Sequence, residues 1–570
     1  PLQPRTVNRG KDCKIGTQGG ESVTGVRGDV RWAASPDFDL SITADYMNDD
    51  SEARADTITV IDETSWPSFV APPFATGTLP YDRRFLPPNM YTTYATYDDP
   101  LNDLAIKPES TMEKWSISGR AEWNINQNVT ATGILAYTNL DATLATDADG
   151  SPINMQTVDG VQTTNFLQAE LRFSGRLWDK LDWTVGGFYY DGNSLNEQMV
   201  SIPFLSLILD GVLPTDSSRP FVNAHNDHDS RNESGFGHFV YDLTDQLSLT
   251  AGIRYSHDKK TVDFDNTRVQ NPFVVVEDDH IDWKAGIDYQ WNDDLMLYAS
   301  ASTGYRPGSY NPRPFQLTGV VAVDAEESTA YELGFKSDWF DDRFRLNAAG
   351  FYTDWSTRIL PVGGTECLVI NGPPGPPVYL TGGTAVDSLG NVCPFTLPRT
   401  FYQNGPADIY GAEIEAVLRP VEQLTITGGF GWTKWDSADI NDDPTVTSSR
   451  ATYVPETNWN VSAAYDIRMG NGSQLTPRVD VYGQSKICTT IDFVFTEFPG
   501  ASCSAGYEMV NLRLQWDSPE GAWIAALGVT NAFDKEYFLN KFNLTAFGQP
   551  AAEGQPGHQR EWYFTVGRSF

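Results

Sequence analysis

The chain has 570 residues with a formal net charge of −35, 12% aromatic residues, 48 glycines and 35 prolines. Such acidity argues against electrostatic binding to nucleic acid or to an anionic surface, and indicates either a well-hydrated surface or acidic loops that hold divalent cations or attract a cationic ligand. No run of about 18 apolar residues occurs, which excludes a transmembrane helix, whereas a transmembrane barrel strand needs only about ten alternating residues.

Segments in which apolar and polar residues alternate recur along the whole chain. Side chains on a strand point alternately to two faces, so each segment predicts a strand with one apolar and one polar face. Convincing amphipathic helices are absent, and the sequence therefore predicts an all-β fold. The clearest segments are FDLSITADY (38–46), LDWTVGGFYY (181–190), LSLTAGIRYSHD (247–258), FRLNAAGFYTD (344–354) and LTITGGFGWTKW (424–435).

The connections fall into a short and a long class that alternate along the chain. Long loops begin near residues 49, 195, 306 and 360. A soluble sandwich or propeller would need shorter strands and a second sheet over each apolar face. Short turns at one end and long loops at the other are typical of an antiparallel transmembrane β-barrel, with lipid covering the apolar face. The short turns are SPD (35–37), NINQN (124–128), LWDK (177–180), TDQ (244–246), NDD (292–294), WFDDR (339–343), RPVEQ (419–423), RMGNGS (468–473) and DSPEG (517–521).

The number of predicted strands is odd. The hairpins and the C-terminal REWYFTVGRSF (560–570) together give nineteen strands. Bacterial single-chain barrels have an even strand number and both ends in the periplasm, so we expect further strands before Pro1; about three would complete a barrel of about 22. The sequence thus predicts an open seam, about three strands wide, between VTGVRGDVRWAA (23–34) and REWYFTVGRSF.

The five cysteines lack the CxxC spacing of a zinc site. Cys367 and Cys393 bracket one loop, and Cys488 and Cys503 bracket another, which predicts two extracellular disulfides and an oxidising compartment. Cys13 is left over; it is either free or paired with a cysteine upstream of residue 1, and we expect it to be unpaired within this chain.

Five stretches share their order and spacing with a known family. They are ASTGYRPGSYNPRPF (301–315), EESTAYELGFKSDWFDDRFRLNAAGFYTDW (326–355), YGAEIEAVLRPVEQLTITGGFGW (410–432), LGVTNAFDKEYF (527–538) and GHQREWYFTVGRSF (557–570). Together they resemble the TonB-dependent outer-membrane receptors, and the resemblance spans essentially the whole chain. Arg568 departs from it, since an aromatic or aliphatic residue is usual two positions before the terminal Phe.

The resemblance implies a fold and a function. Residues 1–570 would form the barrel domain of a 22-stranded receptor, and neither the family's plug domain nor its TonB box is found in them. The function implied is active uptake across the bacterial outer membrane of a scarce large solute such as a ferric siderophore, without enzymatic activity. The alternative is a passive porin-like or structural barrel, which a plug and TonB box encoded upstream would exclude.

The same resemblance implies the partners. They are the TonB complex, reached through the missing N-terminal region, outer-membrane lipid and lipopolysaccharide, a small-molecule ligand, and the barrel-assembly machinery, which would recognise Phe570. Nucleic acid is not expected.

Aromatic and arginine side chains where strands meet the long loops are the ligand-binding candidates. They offer stacking surfaces and planar hydrogen-bond donors to an organic ligand; the alternative is the interfacial aromatic girdle that every such barrel needs. The candidates are Tyr305, Arg306, Tyr310, Arg313, Trp355, Arg358, Tyr402 and Trp435.

No catalytic constellation and no cofactor site are predicted. His225 and His228 either ligate a metal or haem at the cell surface or form a solvated loop pair. The acidic stretches DAEE (324–327), EDDH (277–280) and DSADINDD (436–443) are possible calcium sites, but they lack the spacing and the glycine of an EF-hand.

Overall fold

A computed structural model shows the architecture. It describes residues 16–61, 83–99, 104–151, 156–201, 222–266, 273–311, 322–367, 385–386, 392–393, 396–437, 452–489, 500–544 and 551–569. Arg313, Phe570 and Cys13 lie outside these ranges. Within them, no helix is long and apolar enough to cross a membrane.

One antiparallel sheet of 20 hydrogen-bonded segments dominates the structure. Two of these, Thr457–Tyr465 and Ile467–Arg468, are separated by Asp466 alone and form one strand, so the chain crosses the sheet nineteen times, as the sequence predicts. The strands are β1 Val23–Ser35, β2 Phe38–Glu52, β3 Glu109–Asn126, β4 Val129–Asp147, β5 Thr157–Leu177, β6 Leu181–Ser201, β7 Val222–Asp242, β8 Leu247–Asn266, β9 Phe273–Asn292, β10 Leu295–Arg306, β11 Glu326–Trp339, β12 Phe344–Cys367, β13 Thr396–Val421, β14 Leu424–Ser437, β15 Thr457–Tyr465 with Ile467–Arg468, β16 Gln474–Gln484, β17 Tyr507–Asp517, β18 Trp523–Thr530 and β19 Glu561–Arg568.

Every strand pairs with its neighbour in sequence, and all nine predicted short turns join consecutive strands. In the turn between β5 and β6, Asp179 adopts a φ of 54°, a left-handed conformation that Asp tolerates better than most residues. Several strands are much longer than a bilayer requires: β12 has 24 residues and β13 has 26, against the 9 to 11 or so that span the hydrocarbon. Their loop ends therefore extend beyond the membrane.

The alternating pattern produces an exposed apolar face. On β8, Ile253 is 56% exposed and lies opposite Trp283 of β9, which is also exposed. Thr250 and Arg254 point to the other face. Within the described ranges no second sheet covers Ile253, which fits the lipid-facing position predicted for it. Ile426 of β14 shares its face with the exposed Phe430 and Trp432, as predicted, while Thr427 lies on the opposite face.

The sheet has two open edges among the described residues. β1 pairs with β2 alone, and β19 pairs with β18 alone. Both edge strands carry exposed apolar side chains, Val26 and Val30 on β1 and Phe564 and Val566 on β19. These edges fit the predicted open seam, which stays a prediction together with its width of about three strands.

The long loops contain further short elements. Thr57–Ile61, Ala551–Pro556 and Phe538–Asn543 form a three-stranded loop sheet with Ala551–Pro556 in the middle. Many of the buried side chains, among them Ile58, Phe264, Leu360 and Leu544, lie in these loops or at the loop ends of the strands. The other elements are a 3-10 turn, Arg83–Phe85, and the strand pairs Asp98–Asp99 with Leu104–Ala105, Ser309–Tyr310 with Ala322–Val323, Ala385–Val386 with Val392–Cys393, and Ile487–Cys488 with Cys503–Ser504.

Candidate functional site

Two tryptophans face the lumen near the loop end of the wall. Trp355 of β12 lies opposite Ala407 of β13, and Trp435 of β14 lies opposite Ile409. Ala407 and Ile409 are two positions apart, so both tryptophans point to the same side of the sheet. This side is opposite the exposed Trp432 of β14. The two ring centroids are 6.0 Å apart.

Arg358 lies between these rings. The register of β12 against β13 shifts between Trp355 and Arg358, so the strand bulges there. Such a bulge re-aims the side chains that follow it. The Arg358 guanidinium carbon lies 4.2 Å from the ring centroid of Trp435 and 5.9 Å from that of Trp355. Arg358 Nη1 and Trp435 Nε1 are both buried, and neither has a hydrogen-bond partner in the described part of the chain.

A buried carboxylate connects this group to a fourth candidate. Glu326 of β11 is almost fully buried; its Oε1 accepts a hydrogen bond from the backbone N–H of Ile359 at 2.7 Å. Its Oε2 lies 3.1 Å from Nη1 of Arg306 on β10. We call Arg306, Glu326, Trp355, Arg358 and Trp435 the upper-wall cluster. It spans five consecutive strands, β10 to β14.

The neighbouring aromatic candidates make separate contacts. Tyr305 stacks on His280 of β9 with ring centroids 4.3 Å apart. Tyr310 stacks on His228 of β7 at 5.8 Å and packs edge-on against Phe264. The Tyr310 hydroxyl lies 2.8 Å from His228 Nδ1. Because burial raises the pKa of Tyr310 to about 12, this hydroxyl is protonated at neutral pH and can donate to the ring nitrogen.

Two further polar contacts hold the Tyr310 segment against the wall. Lys260 Nζ donates to the carbonyl oxygen of Gly308 at 3.0 Å. The Gly308 N–H donates to Asp278 Oδ2 at 2.9 Å. The start of the long loop after β10 is therefore fixed on β8 and β9.

Sequence reasoning found four of the five residues of the upper-wall cluster. The structure brings Arg306, Trp355, Arg358 and Trp435 together. Tyr402 lies opposite Pro361, further out on β13. Among the described residues, no contact connects Tyr402 to the cluster. Glu326 was recognised only as part of an acidic stretch. The sequence did contain a signal that places Glu326 beside Arg306. Glu326 follows the loop that begins at Arg306, and the two residues that flank a loop between paired strands lie opposite each other.

The histidine pair does not form a metal site. Positions 225 and 228 are three apart on β7 and therefore point to opposite faces of the strand. His225 Nδ1 lies 3.0 Å from Glu197 Oε1, and His228 packs on Tyr310. Over the part of the chain that the structure describes, no three His, Cys, Asp or Glu side chains are arranged to hold a metal ion.

Cys488 and Cys503 form the predicted disulfide. Cys367 is also disulfide-bonded, but the side chain of its predicted partner, Cys393, lies outside the described part of the structure.

Chemically, the upper-wall cluster can bind rather than react. It combines ring faces, a guanidinium and an indole N–H at the lumen mouth, which suit a ligand with planar groups and anionic oxygens.

Comparisons with known proteins agree with this architecture. The family model described as TonB dependent receptor-like, beta-barrel, matches residues 16–532. The pesticin receptor of Yersinia enterocolitica is 25% identical over 318 residues, which cover 53% of this chain and 39% of the receptor. The metal-pseudopaline receptor CntO of Pseudomonas aeruginosa is 23% identical over 342 residues, covering 56% of this chain and 40% of that protein. The matched part is thus well under half the length of these relatives.

The fold is similar to that of a solved receptor. The ferric yersiniabactin uptake receptor FyuA from Yersinia pestis superposes with a TM-score of 0.70 at 16% identity. The superposition covers 96% of this chain and 71% of that one. At this identity the likeness is one of fold.

Proposed function

The chain belongs to the TonB-dependent receptor-like β-barrel family, and from this premise we propose that it is the barrel of a receptor for a metal–chelate complex such as a ferric siderophore. Barrels of this family are outer-membrane proteins, and the family and its structural neighbours are receptors and transporters rather than enzymes. In the proposed function the ligand binds at the lumen mouth and passes inward when TonB delivers energy. Partners such as lipopolysaccharide and the barrel-assembly machinery belong to the same proposal.

The upper-wall cluster is the observation that supports this proposal. Its donors, Arg358 Nη1 and Trp435 Nε1, lack partners although they are buried, and a buried N–H without an acceptor is costly. A ligand oxygen that reached Arg358 after a small movement of the bulge would satisfy one of them. Ring faces beside a cation also match the planar, oxygen-rich groups with which chelators hold metals.

The test is ligand binding by the receptor with Arg358→Gln. Removing a charged hydrogen bond costs about 1.5 to 3 kcal/mol, so the affinity for a ferric chelate should fall about tenfold to a hundredfold. Quenching of tryptophan fluorescence gives the affinity, since Trp355 and Trp435 lie against Arg358. Arg345→Gln is the matched control, because Arg345 lies at the turn end of the same strand and pairs with Asp338.

Uptake of labelled chelate separates the proposal from its alternative. A TonB-dependent receptor loses uptake when the proton-motive force is collapsed, whereas a passive pore does not. Unchanged uptake under that condition would contradict the proposed function, and unchanged affinity in Arg358→Gln would contradict the assignment of the site alone.

A further inference from the structure

The loop sheet connects the two ends of the barrel wall. Thr57–Ile61 belongs to the loop that follows β2, near the first edge of the sheet, and Ala551–Pro556 belongs to the loop that precedes β19, at the other edge. Gly150, in the turn after β4, lies against Ile58. Three connections from opposite sides of the open seam, two of them long loops, therefore meet at one extracellular junction.

Four carboxyl groups are buried in this junction. Asp56 precedes the first loop strand, Asp147 and Asp149 lie at the turn after β4, and Glu553 is in the middle loop strand. Each is at most 5% exposed. Among the described residues, Arg54 is the cation that contacts two of them, and its Nε lies 2.5 Å from Asp56 Oδ2. Several negative charges buried with one guanidinium would be strongly destabilising unless they were compensated in another way.

Backbone N–H groups compensate two of the carboxylates. Asp147 accepts hydrogen bonds from the N–H groups of Thr96, Asp149 and Gly150 at 2.6, 3.0 and 3.2 Å. Asp149 accepts them from Ser151 and Gln156 at 3.1 and 3.0 Å. Such donors favour the ionised form of a carboxylate.

Glu553 has no such compensation. Its Oε1 lies 3.5 Å from Arg54 Nη2, beyond good hydrogen-bond distance, and Arg54 is already engaged by Asp56. Its Oε2 is buried and has no hydrogen-bond partner. Burial raises the pKa of Asp56 and Asp147 as well, but among the described residues Glu553 is the carboxyl of the four that has neither a backbone N–H donor nor a close guanidinium of its own.

We propose that Glu553 holds a proton while the three loops are docked, and that the junction is a proton-dependent latch across the two ends of the barrel wall. When Glu553 loses its proton, its charge is buried beside three other carboxyls and faces only Arg54, which Asp56 already engages, and separation of the loops relieves it by exposing the group to water.

The charges around Glu553 give the sign of the pH dependence. The groups that face it or its partner are Arg54, Asp56, Tyr97, Tyr453, Asp147 and Asp149. Burial and the neighbouring carboxylates raise the pKa of Glu553 well above its ordinary 4.5. When the loops are undocked, Glu553 ionises near its ordinary pKa. Docking is therefore strongest below that ordinary pKa, and it weakens as the pH rises from the ordinary pKa towards the raised pKa of the docked state.

Hydrogen exchange of the detergent-purified receptor measures this opening in peptides that cover Thr57–Ile61 and Ala551–Pro556. One proton is released on opening, so the opening constant, corrected for intrinsic exchange, should rise about tenfold per pH unit in this window. Glu553→Gln mimics the protonated group and should abolish the dependence, with greater protection than wild type in mild alkali. Glu536→Gln removes an exposed carboxyl from the same loop and should retain the wild-type dependence.

Three results would overturn the proposal. One is equal pH dependence in wild type and Glu553→Gln. Another is protection in alkali that Ca²⁺ restores, since the junction would then bind a cation instead of a proton. If Glu553→Gln does not fold, infrared spectra of the wild type decide: a carbonyl band of a protonated carboxyl that disappears as the loops open supports the latch, and its absence at neutral pH overturns it.

Discussion

At the residue scale, the face on which a side chain lies determines what it tolerates. Ile253 is on the exposed apolar face, opposite Gly237 of β7 and Trp283 of β9, while Thr250 is on the other face beside Gly286. An Arg on the lipid face near the bilayer centre costs about 2 to 4 kcal/mol, whereas lumen positions tolerate charge. Ile253→Arg should therefore lower the yield of barrel folded into lipid vesicles far more than Thr250→Arg. Equal yields would contradict the lipid-facing assignment.

The sequence predicts which face a side chain occupies wherever the strand alternation is regular. Alternation of apolar and polar residues is enough to place Ile253, because a strand turns every second side chain to the same face. It could not place Arg358 against Trp435, since that contact depends on a bulge that breaks the alternation on β12. The stacking of His228 on Tyr310 was hidden for a different reason: the two residues are 82 positions apart and meet only through the folded loop.

At the element scale, the turns and strands were predictable and the loop packing was not. All nine short turns were read from Asp, Asn, Gly and Pro, which favour turns for local reasons. The pairing of Thr57–Ile61 with Ala551–Pro556 joins segments some 490 residues apart, as the hydrogen bond from Thr59 Oγ1 to the carbonyl oxygen of Ala552 shows. No local pattern specifies a partner at that distance.

The loop closed by the Cys488–Cys503 disulfide is the element whose contribution to stability is easiest to measure. Cys488 and Cys503 are 15 residues apart, and the chain-entropy model gives a loop of that size about 3 kcal/mol. Thr489 Oγ1 next to it accepts a hydrogen bond from the Lys541 N–H at 2.8 Å, and Asn543 Nδ2 donates to Ser502 Oγ at 3.3 Å. The disulfide closes this loop at its base, where the loop contacts the outer strand Phe538–Asn543 of the loop sheet.

Replacing both cysteines by serine should release that loop while leaving the barrel folded. Limited proteolysis is the measurement, and cleavage between residues 489 and 502 should become much faster in Cys488→Ser/Cys503→Ser. Cys13→Ser is the control, because Cys13 is predicted to be unpaired, and it should be cleaved like the wild type. Unchanged cleavage of the double variant would mean that the contacts with Lys541 and Asn543 hold the loop without the disulfide.

At the scale of the whole molecule, the nineteen strands of the described residues leave β1 and β19 each with one unpaired edge. An unpaired strand edge in hydrocarbon exposes N–H and C=O groups at a cost of several kcal/mol each, so β1 and β19 need partners in a membrane. The loop sheet ties the two ends together outside the membrane but supplies no strand between them. Either the two edges pair with each other in the bilayer or further strands separate them.

Cysteine cross-linking distinguishes these arrangements in the receptor. Neighbouring strands are about 4.8 Å apart, so three intervening strands would hold β1 and β19 about 19 Å apart, beyond the roughly 7 Å that a disulfide spans between Cα atoms. Val30→Cys on β1 combined in turn with Cys at Trp562, Phe564 or Val566 on β19 should then give no cross-link. Val30→Cys with Ile42→Cys, a directly opposed pair in β1 and β2, is the positive control. A cross-link from Val30 to any of the three β19 positions would show that the edges meet, and the expected additional strands would be wrong.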